Sequence, residues 1–512
     1  MVSTWRLFAS ALALAACAPR AITYDVSVVT NSCDTLTDPL AGASFLRLRV
    51  TGPGIARPRE ATASVASKHL LLPDVPAGSD RMIEVRAYEG DPNGGGRVVS
   101  LGRSGKIEIP DAIPAAAPAP ITVFLRRVNA FSAPVAPGDS KCQLMRVARA
   151  GHSATLLKNG KVFIAGGFTL RSGSEKVALA EAELFNPATG TFEPARDLSF
   201  AGVTQERAYH TATLVPTSGQ VALWGGERYA PDGGAPTPRG SLLFYDAEAD
   251  DYAALPTSTP LPRSHHGATL DVTGRLFVAG GLGSSGRALG EIEWFDPATT
   301  QYAMLDGVLL PRLDAIVSTL EKGAVVAVAG GSDGTQMMTE LGLFHFSGGT
   351  FVRDPSVTLP EPGRRAAGSA PLRGGADLLL LGGYSDPGLP RALASSEVVV
   401  GGARAVATGP NIVAVGDVCA VTLTDGRVVA IGGRTADEAG DFPHATGQTL
   451  VVSEGAQGAL SSLGGPDLPV PRLLHTCTAL PDGTVLVTGG VNENGTEEVL
   501  QDAWIYQPAP LD

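Results

Sequence analysis

Charge, aromatic side chains and long apolar runs are all scarce in this chain. Charged residues make up 18% and aromatic residues 6% of its 512 positions. After residue 17 nothing approaches the roughly eighteen uninterrupted apolar residues of a membrane helix, so no later segment reads as a span. Basic runs are missing too. The 39 Lys and Arg are scattered against 51 Asp and Glu, a formal net charge of -12. That balance argues against nucleic acid or an anionic membrane surface as a partner. What the chain does have is 44% hydrophobic residues, with 63 Gly and 38 Pro spread along its length. Such a composition suits a turn-rich all-β globular protein, and the length allows two domains.

The one apolar stretch at the start is an address. Arg6 supplies a positive charge, Leu7 to Ala16 is apolar but too short to span a bilayer, and Leu14-Ala15-Ala16-Cys17 closes it. This ending resembles the lipobox of bacterial lipoproteins, with an ordinary secretory peptide as the alternative. The resemblance implies a signal peptide over 1–17 and a diacylated Cys17 as the mature N-terminus. It further implies an outer-membrane lipoprotein, periplasmic or facing the cell surface, because Ala18 is not Asp, with the lipid as its only membrane contact. Four cysteines remain, Cys33, Cys142, Cys419 and Cys477, in a compartment that permits disulfides. Three pairings are open, as are free buried thiols. Cys33 with Cys142 and Cys419 with Cys477 is the least strained arrangement.

Residues 22–127 carry short β-rich stretches between Gly, Pro and Asp turns: Ile22 to Val29, Phe45 to Val50, Met82 to Tyr88, Lys106 to Ile109 and Ile121 to Arg126. This predicts an antiparallel β-sandwich, with the Pro-rich Pro110 to Pro120 at an edge or loop. It resembles the immunoglobulin-like or fibronectin-like modules of exported proteins. With no evident cluster of exposed aromatics it reads as a spacer, a carbohydrate- or peptide-binding role being the alternative.

Residues 128–512 repeat. Seven Gly-Gly pairs, each closing an apolar run, begin at 166, 225, 280, 330, 382, 432 and 489. Upstream, Arg-x-x-His occurs as Arg149/His152, Arg207/His210, Arg263/His266 and Arg472/His475. Downstream, aromatics fall seven residues apart as Phe185/Phe192, Tyr245/Tyr252, Phe295/Tyr302 and Phe344/Phe351, with Val399/Val406 in those places in the fifth unit. The combination resembles the kelch repeat, although Phe or Tyr stands where kelch usually has Trp, and units five and six are degenerate. The resemblance implies a seven-bladed β-propeller. Because the last unit lacks a fourth strand and Asn129 to Pro134 reads like Gly190 to Pro194, residues 129–135 are expected to complete the last blade, removing an exposed edge.

Alternating strands place the long loops after each Gly-Gly pair on one face, with Arg149, Arg207, Arg263, Arg312, Arg365 and Arg472 at the start of every blade but the sixth. A ring of guanidinium groups there can engage a carboxylate, a sugar acid or an acidic peptide. Alternatively each Arg bridges blades by bonding loop carbonyls or acids such as Asp314. The repeated histidines read as structural, and no spacing calls for a metal or cofactor. The function expected is a membrane-anchored extracytoplasmic scaffold that binds a protein or glycan on the long-loop face. The alternative is a sugar-modifying kelch enzyme resembling sialic-acid epimerases or mutarotases, for which Glu227 and Arg434, directly after Gly-Gly pairs, are the first residues to examine. Copper-radical oxidases fit poorly, because they need a Tyr-Cys cross-link and a domain after the propeller. Sialidase Asp-boxes are absent.

Overall fold

A computed structural model describes residues 4–7, 26–34, 37–67, 75–110, 121–171, 173–230, 234–255, 260–355, 357–435, 443–455 and 458–511. Cys17 and most of Pro110 to Pro120 lie outside the described residues. Within them the chain is nearly all β, its helical elements being short 3-10 turns, and no helix is long and apolar enough to cross a membrane.

The N-terminal unit is two sheets over one core. Arg59–Ser64, Phe45–Thr51, Gly78–Glu89, Arg97–Arg103 and Arg126–Arg127 follow one another in an antiparallel sheet, and Ile107–Ile109 pairs onto Gly78–Glu89. In Phe45–Thr51 every second residue is buried, which is the period of a half-buried strand. Those side chains, Leu46, Leu48 and Val50, meet Ile83, Val85 and Val99 from the same sheet and Val26, Val28 and Val123 from the other. The second sheet departs from the antiparallel expectation. Val26–Val29 pairs with Thr4–Leu7 antiparallel but with Ile121–Phe124 in parallel. Nearly a hundred residues separate those two strands, long enough for the crossover that a parallel pair requires. The Cys33–Cys142 disulfide joins this unit to the repeat region, and Asn31 Nδ2 donates to Ala136 O (3.0 Å) and Asp139 O (2.7 Å).

From residue 130 the described chain includes seven sheets with four consecutive antiparallel strands each in space, beside smaller two-stranded ribbons. In each, the second strand is buried at every position, a run of apolar residues such as Val162–Ala165, Val221–Trp224 or Val325–Ala329, broken only by Asp377 at the start of the fifth and Thr488 at the end of the seventh. Continuous burial explains the lack of alternation in these runs, because neighbouring sheets cover both faces. The first strands, Ser153–Leu156, Thr211–Leu214, Gly267–Leu270, Ile316–Leu320, Gly368–Leu372, Cys419–Thr422 and Thr476–Ala479, touch one another in that order, and the last touches the first. In the seventh sheet Ala130–Ser132 pairs with Ala503–Gln507, placing Phe131 opposite Tyr506. A second disulfide, Cys419–Cys477, joins the first strands of sheets six and seven.

Both members of each Gly-Gly pair have positive φ, for example 62° at Gly166 and 93° at Gly167. A side chain on Gly166 would put its Cβ 2.5 Å from Arg207 O of the next sheet, so glycine is required twice over. Most of the seven-residue aromatic pairs are cross-strand partners: Phe185 faces Phe192, Tyr245 faces Tyr252 and Phe295 faces Tyr302. The fourth unit differs, because Phe351 pairs with Phe346, and Phe344 pairs with Arg353. Gly348 (φ 61°) and Gly349 (φ 86°) make a two-residue hairpin there, two residues tighter than the others, and the register moves with it.

Candidate functional site

The repeated arginines are not at the surface. Arg149, Arg207, Arg263, Arg312 and Arg472 are each 0% exposed, which removes them as ligand groups. Each donates Nη1 to the carbonyl of the first glycine in its own Gly-Gly pair: Arg149 to Gly166 (2.8 Å), Arg207 to Gly225 (3.0 Å), Arg263 to Gly280 (2.7 Å), Arg312 to Gly330 (3.1 Å) and Arg472 to Gly489 (3.0 Å). Most also pair with an acid on the third strand, Arg149 with Glu183 (2.8 Å) and Arg472 with Asp502 (2.8 Å). Arg365 is expected in this series, but the residue that occupies the place is Arg364, which donates to Gly382 O at 2.5 Å.

The repeated histidines are buried as well, and they link sheets. His152 Nε2 lies 3.0 Å from Thr488 Oγ1, His210 Nε2 2.9 Å from Ser153 Oγ, His266 Nε2 3.0 Å from Thr211 Oγ1, and His475 Nε2 3.1 Å from Ile431 O. Burial, with nearby arginines adding to it, pushes all four imidazoles down, His210 and His475 to about 3. They are neutral at pH 7.

Between each buried Arg and the His position sits a residue the repeat leaves free. These are Gly151, Tyr209, His265, Asp314, Ala366, Asp417 and Leu474, all with φ between 49° and 58°. Their backbones are strung together across sheets: Tyr209 N–H donates to Gly151 O (2.9 Å), His265 to Tyr209 O (3.2 Å), Asp314 to His265 O (3.2 Å), Ala366 to Asp314 O (3.1 Å), Asp417 to Ala366 O (2.9 Å) and Gly151 to Leu474 O (2.9 Å). Six non-glycine residues held in the left-handed region mark a backbone that the surrounding packing over-determines. All seven line an open cavity of about 380 Å³ on the axis, on the face carrying the long loops.

Four of the seven side chains form a polar arc. Tyr209 stacks on His265 with ring centroids 4.1 Å apart, and His265 Nδ1 lies 3.1 Å from Asp314 Oδ1. Asp314 Oδ2 is 3.6 Å from Arg365 Nη1, and Tyr384 Oη donates to Asp417 Oδ2 at 2.7 Å. Burial pulls the His265 imidazole down, but the bonded Asp314, with Glu227 and Asp417 beyond, outweighs it and the net shift is upward. Burial pushes the Asp417 carboxyl up, with Asp314 assisting against Tyr384, Arg434 and Arg365. Glu227 is buried beneath the arc, accepting from Ser264 Oγ at 2.7 Å with His265 Nε2 3.9 Å away. Arg434 stands on the rim with its Nε 2.9 Å from Glu493 Oε2. The structure thus brings Arg365, Glu227 and Arg434 to the mouth and excludes the other five arginines. Sequence reasoning missed Tyr209, His265 and Asp417, and named Asp314 only as a bridging partner for arginine, a contact it makes with Arg365. The place they occupy, third in the Arg-x-x-His unit, holds Gly, Tyr, His, Asp, Ala, Asp and Leu in turn, so the repeat itself does not mark it.

No family model matches the chain, and no curated protein matches it in sequence. Among solved structures, the chain is similar to a fungal alcohol oxidase of the AA5 family in complex with copper, at 16% identity and a TM-score of 0.53, covering 71% of this chain and 75% of that one. It is also similar to YjhT, at 13% identity and a TM-score of 0.44, covering 62% of this chain and 99% of that one. At such identities the likeness to the oxidase is one of fold, and a kelch-type β-propeller fits it.

Proposed function

We propose that the protein is a lipid-anchored extracytoplasmic binding protein whose seven-bladed kelch propeller, carried on an immunoglobulin-like spacer, takes a glycan at the mouth of its channel. The observation that carries this reading is the polar arc Tyr209–His265–Asp314 with Asp417 on an open cavity of about 380 Å³. That volume falls within the ~300–1,000 Å³ typical of small-ligand sites. Carboxylates accept from sugar hydroxyls, the Tyr209 ring offers an apolar face, and Arg365 and Arg434 on the rim suit an acidic sugar. A glycan array followed by titration calorimetry, on the soluble form starting at residue 22, tests it. Asp314→Asn should weaken binding about tenfold, as expected for losing a hydrogen bond to a charged group. Unchanged affinity in that variant would remove the arc from the ligand site.

A second reading has its own support. Asp417 and His265, both shifted upward, stand near each other on the same cavity, as an acid–base pair acting on a sugar ring would. Turnover of a sialic-acid-type sugar, followed by NMR of its anomers, without stable binding of any glycan would favour this epimerase- or mutarotase-like activity. Among the described residues the cluster of three potential metal ligands is Cys419, His475 and Cys477, whose two thiols are joined in a disulfide.

A further inference from the structure

Away from the channel mouth, the cleft between sheets five and six holds a cavity of about 420 Å³. We propose that this cavity is a second ligand site, one that takes a small molecule with an alkyl body and a guanidinium or amidinium head.

The cavity lies where the sixth repeat has lost its arginine. Val415 occupies the arginine's place in the backbone frame: its N–H donates to Leu393 O (3.3 Å) and its carbonyl accepts from Gly383 N–H (2.8 Å). Arg207 makes the same two bonds, to Leu179 O (3.0 Å) and from Gly167 N–H (2.8 Å). In the other six sheets an arginine Nη1 reaches the first glycine carbonyl of the Gly-Gly pair. In the sixth sheet that carbonyl is Gly432 O, which lines the cavity and takes no hydrogen bond from any described residue. The acid has gone too, because Leu450 stands at the strand position that Glu183 holds in the first sheet. Val415 and Leu450 are both shorter than the pair they replace, and the cavity is the space left over.

Its chemistry is specific. Val415, Val418, Leu381, Ile412 and Leu450 form an apolar wall. Thr449, 4% exposed, also lines it, and its buried Oγ1 has no hydrogen-bond partner among the described residues. A buried hydroxyl and a buried carbonyl left unpaired each cost free energy that a bound donor recovers. Two unpaired acceptors in the lining of an apolar cavity call for a head with several N–H donors in a plane, the geometry that guanidinium supplies from arginine elsewhere in the ring. The exposed Asp467 at the rim adds negative charge.

The test uses the full-length protein and n-butylguanidinium at concentrations well below denaturing, with binding followed by titration calorimetry. Saturable binding at one site per chain is expected, at least tenfold tighter than that of 1-butanol. Val415→Arg combined with Leu450→Glu rebuilds the missing ion pair and should abolish binding. Thr449→Val, which leaves the backbone frame alone, should weaken it about fivefold, the worth of one hydrogen bond. Circular dichroism confirms that each variant folds. Equal affinity for 1-butanol, unchanged binding in both variants, or no saturable binding at all, meaning that the cavity holds only water, would each overturn the proposal.

Discussion

Sheets one and two meet through stacked rings, whereas the gap between sheets five and six is filled by aliphatic side chains, with the Arg373–Glu454 ion pair (2.7 Å) and the bond from Thr422 Oγ1 to Pro371 O (2.6 Å) also linking them. In the first pair Phe163 stacks on Tyr245 at 4.0 Å, Tyr252 packs beside them, and Arg207 and His210 close the inner end. In the second the gap holds Leu379, Leu381, Val398, Val428 and Val452, and the arginine and histidine positions are Val415 and Val418. The backbone nevertheless follows the same frame in both, down to the bonds at residues 207 and 415. A sheet is therefore specified by its glycine pair and strand pairing. Arginine, histidine and aromatic residues set how tightly it closes on its neighbour, and where they are missing space opens between the sheets.

The sharpest test of that contrast is at the arginine position. Arg263→Ala leaves Glu293, itself 0% exposed, as an uncompensated buried charge, and should cost about 3–5 kcal/mol in urea unfolding. Val415→Ala removes methyl groups beside an existing cavity and should cost only about 1 kcal/mol. Equal losses at the two positions would break the comparison. Between those two losses falls that of Cys419→Ser with Cys477→Ser, which releases the link between sheets six and seven on the aliphatic side. Thermal unfolding should show a loss of about 2–4 kcal/mol.

The smallest effect per group is set by pH. The four imidazoles whose pKa is depressed on folding are held neutral, so their contribution is complete above the unfolded value of about 6.5 and is lost as pH falls below it, toward about 3 for His210 and His475. Below 6.5 the unfolded chain binds the extra protons, and each histidine removes up to about 1.4 kcal/mol per pH unit. Sheets four to six carry Ala315, Ala367 and Val418 at this position. Hydrogen exchange at pH 5 should therefore show lost protection first in sheets one, two, three and seven.

Much of the ring was legible because it is written locally. A glycine pair, an apolar run and a hairpin of fixed length each lie within a few residues, and strand register follows from them, as at Val399 opposite Val406 in the degenerate fifth unit. Where local signals tie, reading fails. Arg364 and Arg365 both precede Gly382 at a separation the repeat allows, since its arginines bond a glycine 17 or 18 residues on, and only the buried hydrogen bond decides. The mouth was least legible of all. Tyr209, His265, Asp314 and Asp417 come from four repeats and meet only because the first strands turn around one axis, while the arginines that looked like a site are spent on carbonyls. The parallel pair of Val26–Val29 with Ile121–Phe124 was hidden for the same reason, having no local mark.

Pairing of Phe131 with Tyr506 has a consequence for how the chain is made. Tyr506 Oη donates to Asn129 Oδ1 across 377 residues, so the bond cannot form until the chain has been synthesised past residue 506. Contacts of such separation are slow to form, because the entropy of closing the loop is lost before any contact repays it. Until Ala503–Gln507 arrives, Val485–Thr488 presents a bare apolar edge to any other unfinished chain nearby. The seventh sheet is therefore where unfinished chains are most exposed to one another.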